Sequence, residues 1–124
     1  MSNVVKGKVI KGEGLGQKLG FPTANLDHHY YKKHPIAPGV YAARTTVKKQ
    51  IYSCIVIIGA QYRKPRKDFK IEVYLLKFGG DLVGITLEAQ LVKKLRDLQK
   101  FTNEEDLISQ IQDDIYSTKK ILNN

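Results

Sequence analysis

Short segments with β-strand character, joined by short connections, place the strongest constraint on the fold of this chain. These segments are rich in valine and isoleucine, and they occur at residues 4–11, 40–47, 50–58, 69–78 and 84–95. No long helical pattern separates them, and parallel pairing would require helical crossovers. The pattern therefore predicts a mainly β fold, a closed antiparallel barrel of at least five strands.

Outside these segments, the sequence predicts one long helix and one long irregular loop. Mostly apolar residues recur at helical spacing near the C-terminus, at Leu107, Ile108, Ile111, Ile115, Thr118 and Leu122. Thr102 and Glu105 have the spacing of a capping box, which would start the helix after Thr102. The polar stretch "DHHYYKKHPIAPG" at residues 27–39 is broken by two prolines and predicts an irregular loop.

Length and composition fit one globular domain. A chain of 124 residues, 42% of them hydrophobic, can bury a single core, and we expect one domain over residues 1–124. No apolar run reaches the roughly 20 residues that span a bilayer, and the first residues lack the apolar core of a signal peptide. We therefore expect a cytoplasmic protein without a membrane partner. Cys54, the only cysteine, lies in the apolar run "CIVII", which favours a buried and inert thiol.

The charge is strongly positive and unevenly distributed. The formal net charge is +9, and 19 of the 21 basic residues precede residue 104, together with 7 of the 12 acidic ones. A field of this sign attracts polyanions. The charge by itself does not distinguish a nucleotide from a nucleic acid.

The stretch "GLGQKLGFPTANL" at residues 14–26 indicates a site for phosphate and a metal ion. Its glycines fit neither the dinucleotide-binding fingerprint nor the Walker A motif. Thr23 and Asn25 alternate along an extended segment, so both side-chain oxygens can point to one side. Mg²⁺ accepts such ligands when a nucleotide supplies most of the others. The alternative is an ordinary turn in which Thr23 and Asn25 bond only to the local backbone.

Glu72 is the candidate general base. It lies between Ile71 and Val73 in an otherwise apolar segment, and period-two alternation places it on one face with Tyr74 and Leu76. A partly buried carboxylate binds a proton more tightly than an exposed one, which suits removal of a proton from a hydroxyl substrate. The alternative is that Glu72 faces solvent on a half-exposed strand.

Two further groups of polar residues carry weaker signals. The histidines lack the spacing of a zinc site, so we expect no structural metal at His28, His29 and His34. The basic loop is typical of a solvated connection, with phosphate or nucleic-acid contact as the alternative, and it contains Arg63, Lys64, Arg66 and Lys67.

Taken in order, the motifs resemble those of the ATP-dependent riboflavin kinases, both the eukaryotic enzymes and the C-terminal module of bacterial bifunctional FAD synthetases. The resemblance extends almost end to end. It is carried by the motifs "LGFPTAN", "PGVY", "IG" at residues 58–59, "IEVYLL", "GDLVG" and "LRDLQKF". It implies a closed six-stranded antiparallel Greek-key barrel with a C-terminal helix, and transfer of the γ-phosphate of MgATP to the ribityl 5′-hydroxyl of riboflavin, giving FMN.

The resemblance also implies residue roles. Glu72 would deprotonate the riboflavin hydroxyl, and Thr23 and Asn25 would hold Mg²⁺. The flavin would be covered by a flap that includes Arg96, Leu98 and Phe101. The nucleotide would be bound by Gly12, Gly14, Gly16, Lys18, Gly20, Pro22, Thr23 and Asn25.

The chain departs from the family pattern at three single positions and in the segment after Gly59, which usually contains a proline within a few residues and here reads "AQYRKP". The family usually has Tyr at Val83, commonly an acid at Leu98, and often Arg at Leu15. These positions lie in the loop and the flap, so one alternative is a module that binds flavin and nucleotide with weakened catalysis. Another is a nucleic-acid-binding barrel that uses the basic surface. We expect a kinase that acts as a monomer without nucleic acid, and no FAD synthesis, because no adenylyltransferase domain precedes the first strand.

Overall fold

The structure is a computed structural model in which residues 3–11, 20–59 and 69–122 are described. Six strands and two helices follow one another along these residues. In chain order they are β1 (Val4–Ile10), β2 (Ala24–Leu26), α1 (His29–Lys33), β3 (Gly39–Val47), β4 (Gln50–Ile58), β5 (Ile71–Leu75), β6 (Thr86–Arg96) and α2 (Glu104–Leu122).

The strands close into a barrel in the order β1, β2, β5, β4, β3, β6, and every neighbouring pair is antiparallel. Strands β3, β4 and β5 lie side by side, and β6 returns to pair with β3, which is the Greek-key order. The expected mainly β fold, a six-stranded antiparallel barrel with a C-terminal helix, is therefore confirmed.

Alternation along the strands separates an inner from an outer face. In β5, Ile71, Val73 and Leu75 are buried in the barrel core, whereas Glu72 and Tyr74 are half-buried on the outer face. The same alternation gives β1 its buried inner residues. The predicted β5 segment was too long, because the chain turns at Leu76 and Lys77, and Lys77 has a φ of 61°.

Cys54 belongs to this inner core and is fully buried. Burial raises the pKa of its thiol to about 12, because the thiolate would lose its hydration. The prediction of a buried cysteine is confirmed, and the raised pKa is typical of an unreactive thiol.

The β3–β4 hairpin turns on two lysines. Lys48 and Lys49 both have positive φ, 50° and 69°, as in the type I′ turn that matches the twist of paired strands. Such turns usually contain Asn-Gly, so the sequence at this turn does not carry the usual signal. Continuous pairing along both strands, from Val47–Gln50 to Gly39–Ile58, accompanies this turn.

The predicted irregular loop at residues 27–39 contains a short helix instead. α1 spans five residues, and the rings of Tyr30 and His34 stack with their centroids 4.3 Å apart. The Tyr31 hydroxyl donates to the Ile36 carbonyl at 2.6 Å, which ties the helix to the segment that follows. A helix this short spans too few turns for apolar periodicity to reveal it, and the prediction was wrong on this point.

The start of α2 also differs from the sequence prediction. The helix begins at Glu104, and the Asn103 side-chain oxygen accepts a hydrogen bond from the Asp106 backbone N–H at 2.9 Å. The Asn103 amide in turn donates to the Asp106 carboxylate at 3.1 Å. The predicted capping box of Thr102 and Glu105 was therefore wrong, because the helix starts one residue later than that box requires.

Replacing Asn103 by Ala should lower the free energy of unfolding by about 1 kcal/mol, since the Asp106 N–H would lose its acceptor. Urea unfolding followed by circular dichroism measures this change. Thr102→Ala is the matched control and should change the free energy of unfolding by less than about 0.5 kcal/mol. A larger loss for Thr102→Ala than for Asn103→Ala would contradict the cap assignment.

α2 packs on the outside of the barrel, against β3, β4 and β6. An outer apolar cluster lies beneath it, built on the buried side chains of Val40, Ile55 and Leu76 and completed by Ile57, Tyr74, Leu95, Leu98 and Ile115. Across the described part of the chain, neither helix combines the length and the apolar character needed to cross a membrane.

Candidate functional site

Asn25 and Glu72 lie side by side on the outer face of the barrel. The register of β2 and β5 pairs Asn25 with Glu72 and Ala24 with Val73. Because Leu26 and Val73 point into the core, alternation directs Asn25 and Glu72 outward. The fold therefore brings together an amide and a carboxylate that are far apart in the sequence.

Thr23 joins this pair from the residues just before β2. Its hydroxyl donates a hydrogen bond to the Glu72 carboxylate, with Oγ1 and Oε2 3.1 Å apart. We call Thr23, Asn25 and Glu72 the oxygen cluster, and all three side chains are half-buried. A hydroxyl that donates to a carboxylate keeps its own lone pairs, so the cluster offers several oxygen ligands of the kind that Mg²⁺ prefers.

Aromatic and apolar side chains border the oxygen cluster on one side. Tyr74, two residues after Glu72 on the same face, meets Phe21 edge to face with ring centroids 6.0 Å apart. Burial raises the pKa of the Tyr74 phenol above its ordinary value. Tyr74 also packs in the outer apolar cluster with Leu98. A continuous surface thus leads from Glu72 towards α2.

A cavity of about 400 Å³ lies on the other side of the cluster, between the end of β1, the start of β2 and the loop at residues 78–83. Pro22, Thr23 and Asn25 line it, with Val9, Val73, Leu75 and Phe78 among its apolar residues. It combines apolar walls with a few polar groups, which is the usual composition of a small-molecule pocket. Val83, one of the three positions that depart from the family pattern, lines it and is 55% exposed.

A second cleft, of about 520 Å³, opens between α2 and the segment after β6. We call residues 96–101 the flap. Gln99, Lys100 and Phe101 line the cleft from the flap, and polar residues of α2, including Gln110, line it from the helix. Leu98 of the flap packs with Tyr74 in the outer apolar cluster, so the flap adjoins the face that carries Glu72.

The three predicted flavin-binding residues have different surroundings in the structure. Arg96 forms an ion pair with Asp114 of α2, with Nη2 and Oδ2 2.8 Å apart. Leu98 packs on the outer apolar cluster. A Cβ built on Gly59 would lie 2.5 Å from Cδ1 of Leu98. Gly59 has a φ of 110°, so its conformation and this close approach both favour glycine. Phe101, at the end of the flap, is only 6% exposed and lines the cleft.

Several predicted site residues lie outside the described residues. These are Gly12, Gly14, Gly16, Lys18 and Leu15 of the glycine-rich segment, and Arg63, Lys64, Arg66 and Lys67 of the basic loop. Gly20 is described; it is exposed and has a φ of 90°. Lys11, which precedes the glycine-rich segment, borders the 400 Å³ cavity.

His28 and His34 take part in ring contacts. His28 meets Phe69 edge to face at 5.4 Å between centroids, and His34 stacks on Tyr30. Among residues 3–11, 20–59 and 69–122, no three His, Cys, Asp or Glu side chains come together as a metal site would require.

Sequence reasoning missed Asp114 and Gln110. Asp114 is 5% exposed although it is charged, and Gln110 lines the cleft from the helix. The sequence does indicate that Asp114 is buried. Asp114 lies three residues after Ile111 and four before Thr118, so it falls on the predicted buried face of the helix. An acid at such a position indicates a partnered, buried charge.

Known proteins resemble this chain over most of its length. The family model described as "Flavokinase: Riboflavin kinase" matches residues 2–122. An RNA-binding riboflavin kinase of Bacillus subtilis is 36% identical over 121 residues, which cover 94% of this chain and 50% of that protein. The riboflavin kinase of Homo sapiens is 33% identical over 123 residues, covering 94% of this chain and 79% of that protein.

A solved structure agrees with the barrel. The crystal structure of riboflavin kinase from Trypanosoma brucei has a TM-score of 0.71 and 24% sequence identity, and the match covers 98% of this chain and 77% of that one. This likeness supports the fold alone. The chain spans 50% of the Bacillus subtilis protein and 38% of a bifunctional riboflavin kinase/FMN adenylyltransferase of Buchnera aphidicola that is 35% identical to it. The family model covers nearly every residue, and the human enzyme matches over most of its own length, so this chain belongs to the riboflavin kinase family.

Proposed function

We propose that this chain transfers the γ-phosphate of MgATP to the ribityl 5′-hydroxyl of riboflavin, giving FMN and ADP. The observation that carries the proposal is the oxygen cluster, in which Thr23 is hydrogen-bonded to Glu72 at 3.1 Å and Asn25 lies opposite Glu72 in the sheet. Thr23 and Asn25 border one cavity, and Tyr74 connects Glu72 to the flap over the other. Two substrates bound on the two sides would meet at Glu72.

Glu72 is the group that accepts the hydroxyl proton. As the 5′-oxygen forms its bond to the γ-phosphorus, the bond between that phosphorus and the bridging oxygen of ATP breaks, and ADP leaves. The proton of the hydroxyl passes to the Glu72 carboxylate. The hydrogen bond from Thr23 orients this carboxylate, and its half-buried position limits competition from water.

Thr23, Asn25 and Glu72 fit a Mg²⁺ ion because all three present hard oxygen ligands at one place. Thr23 and Asn25 would hold the ion. When bound, Mg²⁺ would neutralise the charge of the ATP phosphates.

The two cavities suit different substrates. The 400 Å³ cavity, lined by Pro22, Thr23 and Asn25, lies beside the residues that precede the glycine-rich segment, so we assign it to the nucleotide. Gly12, Gly14, Gly16, Lys18 and Gly20 complete the proposed nucleotide site. The cleft beneath the flap, next to Leu98 and Phe101, is assigned to the flavin. Phe101 is the aromatic side chain in the lining of this cleft, against which a flat ring would pack, and the other lining residues are polar.

The proposal ends at FMN. The oxygen cluster accounts for transfer of a phosphoryl group to a hydroxyl, and we propose no adenylyl transfer by these residues. We also propose that the chain acts in the cytoplasm as a single domain that is supplied with ATP and riboflavin. A monomeric state and the absence of a nucleic-acid partner stay predictions.

The test is to incubate the purified chain with riboflavin, ATP and Mg²⁺ and to resolve the flavins by chromatography. We expect FMN in the complete mixture, none when Mg²⁺ is removed by EDTA, and no FAD. Quenching of riboflavin fluorescence without FMN would replace the kinase with a flavin-binding module. Formation of FAD would contradict the proposal that the reaction ends at FMN.

A further inference from the structure

A buried ion pair joins the end of β6 to the middle of α2. The Arg96 guanidinium donates two parallel hydrogen bonds to the Asp114 carboxylate, from Nε to Oδ1 at 2.9 Å and from Nη2 to Oδ2 at 2.8 Å. The two side chains are 12% and 6% exposed. A planar, two-point contact of this kind fixes orientation as well as distance.

The same pair reaches both walls of the cleft beneath the flap. On the flap side, Arg96 Nη1 donates to the backbone carbonyl of Asp97 at 3.2 Å. On the helix side, Gln110 Nε2 donates to Asp114 Oδ1 at 3.0 Å, and Gln110 lines the cleft. The network therefore runs from the flap backbone, through two buried charges, to a side chain on the opposite wall.

The flap is held at both of its ends. Leu98 packs against Gly59 and the outer apolar cluster, and Phe101 is buried next to the start of α2. Gln99 and Lys100, between these anchors, are exposed and line the cleft. Because the ion pair is buried, loss of either charge would leave the other uncompensated, and the flap would lose its fixed position relative to the helix.

We propose that Arg96 and Asp114 are positioning residues that set the width of the cleft in which the flavin is held. Arg96 thus acts through Asp114 and need not touch the flavin. The inference rests on the proposed function, because it assigns the cleft to the flavin substrate. It adds Asp114, and the link from Asp114 to Gln110, to the residues on which flavin binding depends.

The test compares Asp114→Asn with Glu105→Gln. Both variants change one acid of α2 to its amide, but Glu105 is exposed and lies outside the cleft lining. Asp114→Asn should raise the KM for riboflavin about tenfold, with the KM for MgATP and kcat within about twofold of wild type. Hydrogen exchange of the backbone amides in residues 97–101 should become faster. Glu105→Gln should leave all of these quantities unchanged.

A merely structural role would lower the melting temperature of Asp114→Asn without changing the KM for riboflavin relative to MgATP, and that result would overturn the proposal. If Asp114→Asn does not fold, Arg96→Lys keeps the positive charge but loses the two-point contact, and it should show the same selective rise in the riboflavin KM. Should the wild-type chain make no FMN, the proposed function fails by itself. The dissociation constant of riboflavin and the amide exchange of residues 97–101 then still test the positioning role of Arg96 and Asp114. Unchanged values in Asp114→Asn and in Arg96→Lys would refute that role.

Discussion

Replacing Glu72 by Gln should lower kcat for FMN formation by about 100-fold or more, because the amide cannot accept the proton of the riboflavin hydroxyl. The substitution keeps the size of the side chain and an oxygen that can still accept the hydrogen bond from Thr23. Binding of riboflavin and MgATP should therefore change little. Steady-state kinetics, with fluorescence titration of riboflavin, measure the two effects separately.

Glu88→Gln is the matched control for this experiment. Glu88 is an exposed acid on β6, where it pairs in register with Lys6 away from the oxygen cluster. The Glu88→Gln variant should keep wild-type kcat. Near-normal kcat in Glu72→Gln would remove Glu72 from the mechanism.

The sequence predicted five of the barrel strands because their segments are rich in valine and isoleucine and are joined by short connections, and in β5 an alternation is also visible. In β5, the order Ile71, Glu72, Val73, Tyr74, Leu75 shows period two directly, and the structure buries every second residue. β2 is different, since three residues are too few for any period to be visible. Its place between β1 and β5 depends on pairing with residues that are distant in the sequence, which alternation does not specify.

The candidate site was predicted in its components but not in its arrangement. Thr23 and Asn25 were inferred from their alternation, and Glu72 from its apolar neighbours, yet no sequence pattern sets the register that pairs Asn25 with Glu72. Asp114 shows the opposite difficulty. Its position on the helix face was visible, but a buried acid makes sense only with its partner Arg96, which precedes α2 in the sequence. Local patterns identify faces, and long-range pairing decides which faces meet.

Replacing Thr23 by Val should lower kcat/KM for MgATP about 10- to 100-fold, the range typical for residues that orient or bind a catalytic metal ion. Valine has nearly the shape of threonine but lacks the hydroxyl that donates to Glu72 at 3.1 Å. The cluster would lose one oxygen ligand, and the Glu72 carboxylate would lose the bond that orients it. Half-maximal activity should consequently require more Mg²⁺, as measured by titrating the metal at fixed ATP.

Thr23→Ser separates the hydroxyl from the shape of the side chain. Serine restores the oxygen without the methyl group, so its Mg²⁺ titration should follow that of the wild type, while Val should not. Thr23 lies just outside β2 and is half-buried, so neither variant should unfold the barrel, and equal melting temperatures would show this. If Thr23→Val has the same Mg²⁺ dependence as the wild type but a lower kcat, the hydroxyl orients Glu72 and does not hold the metal. If both kcat and the Mg²⁺ dependence are unchanged, Thr23 has neither role, and the site must be built on Asn25 and Glu72 alone.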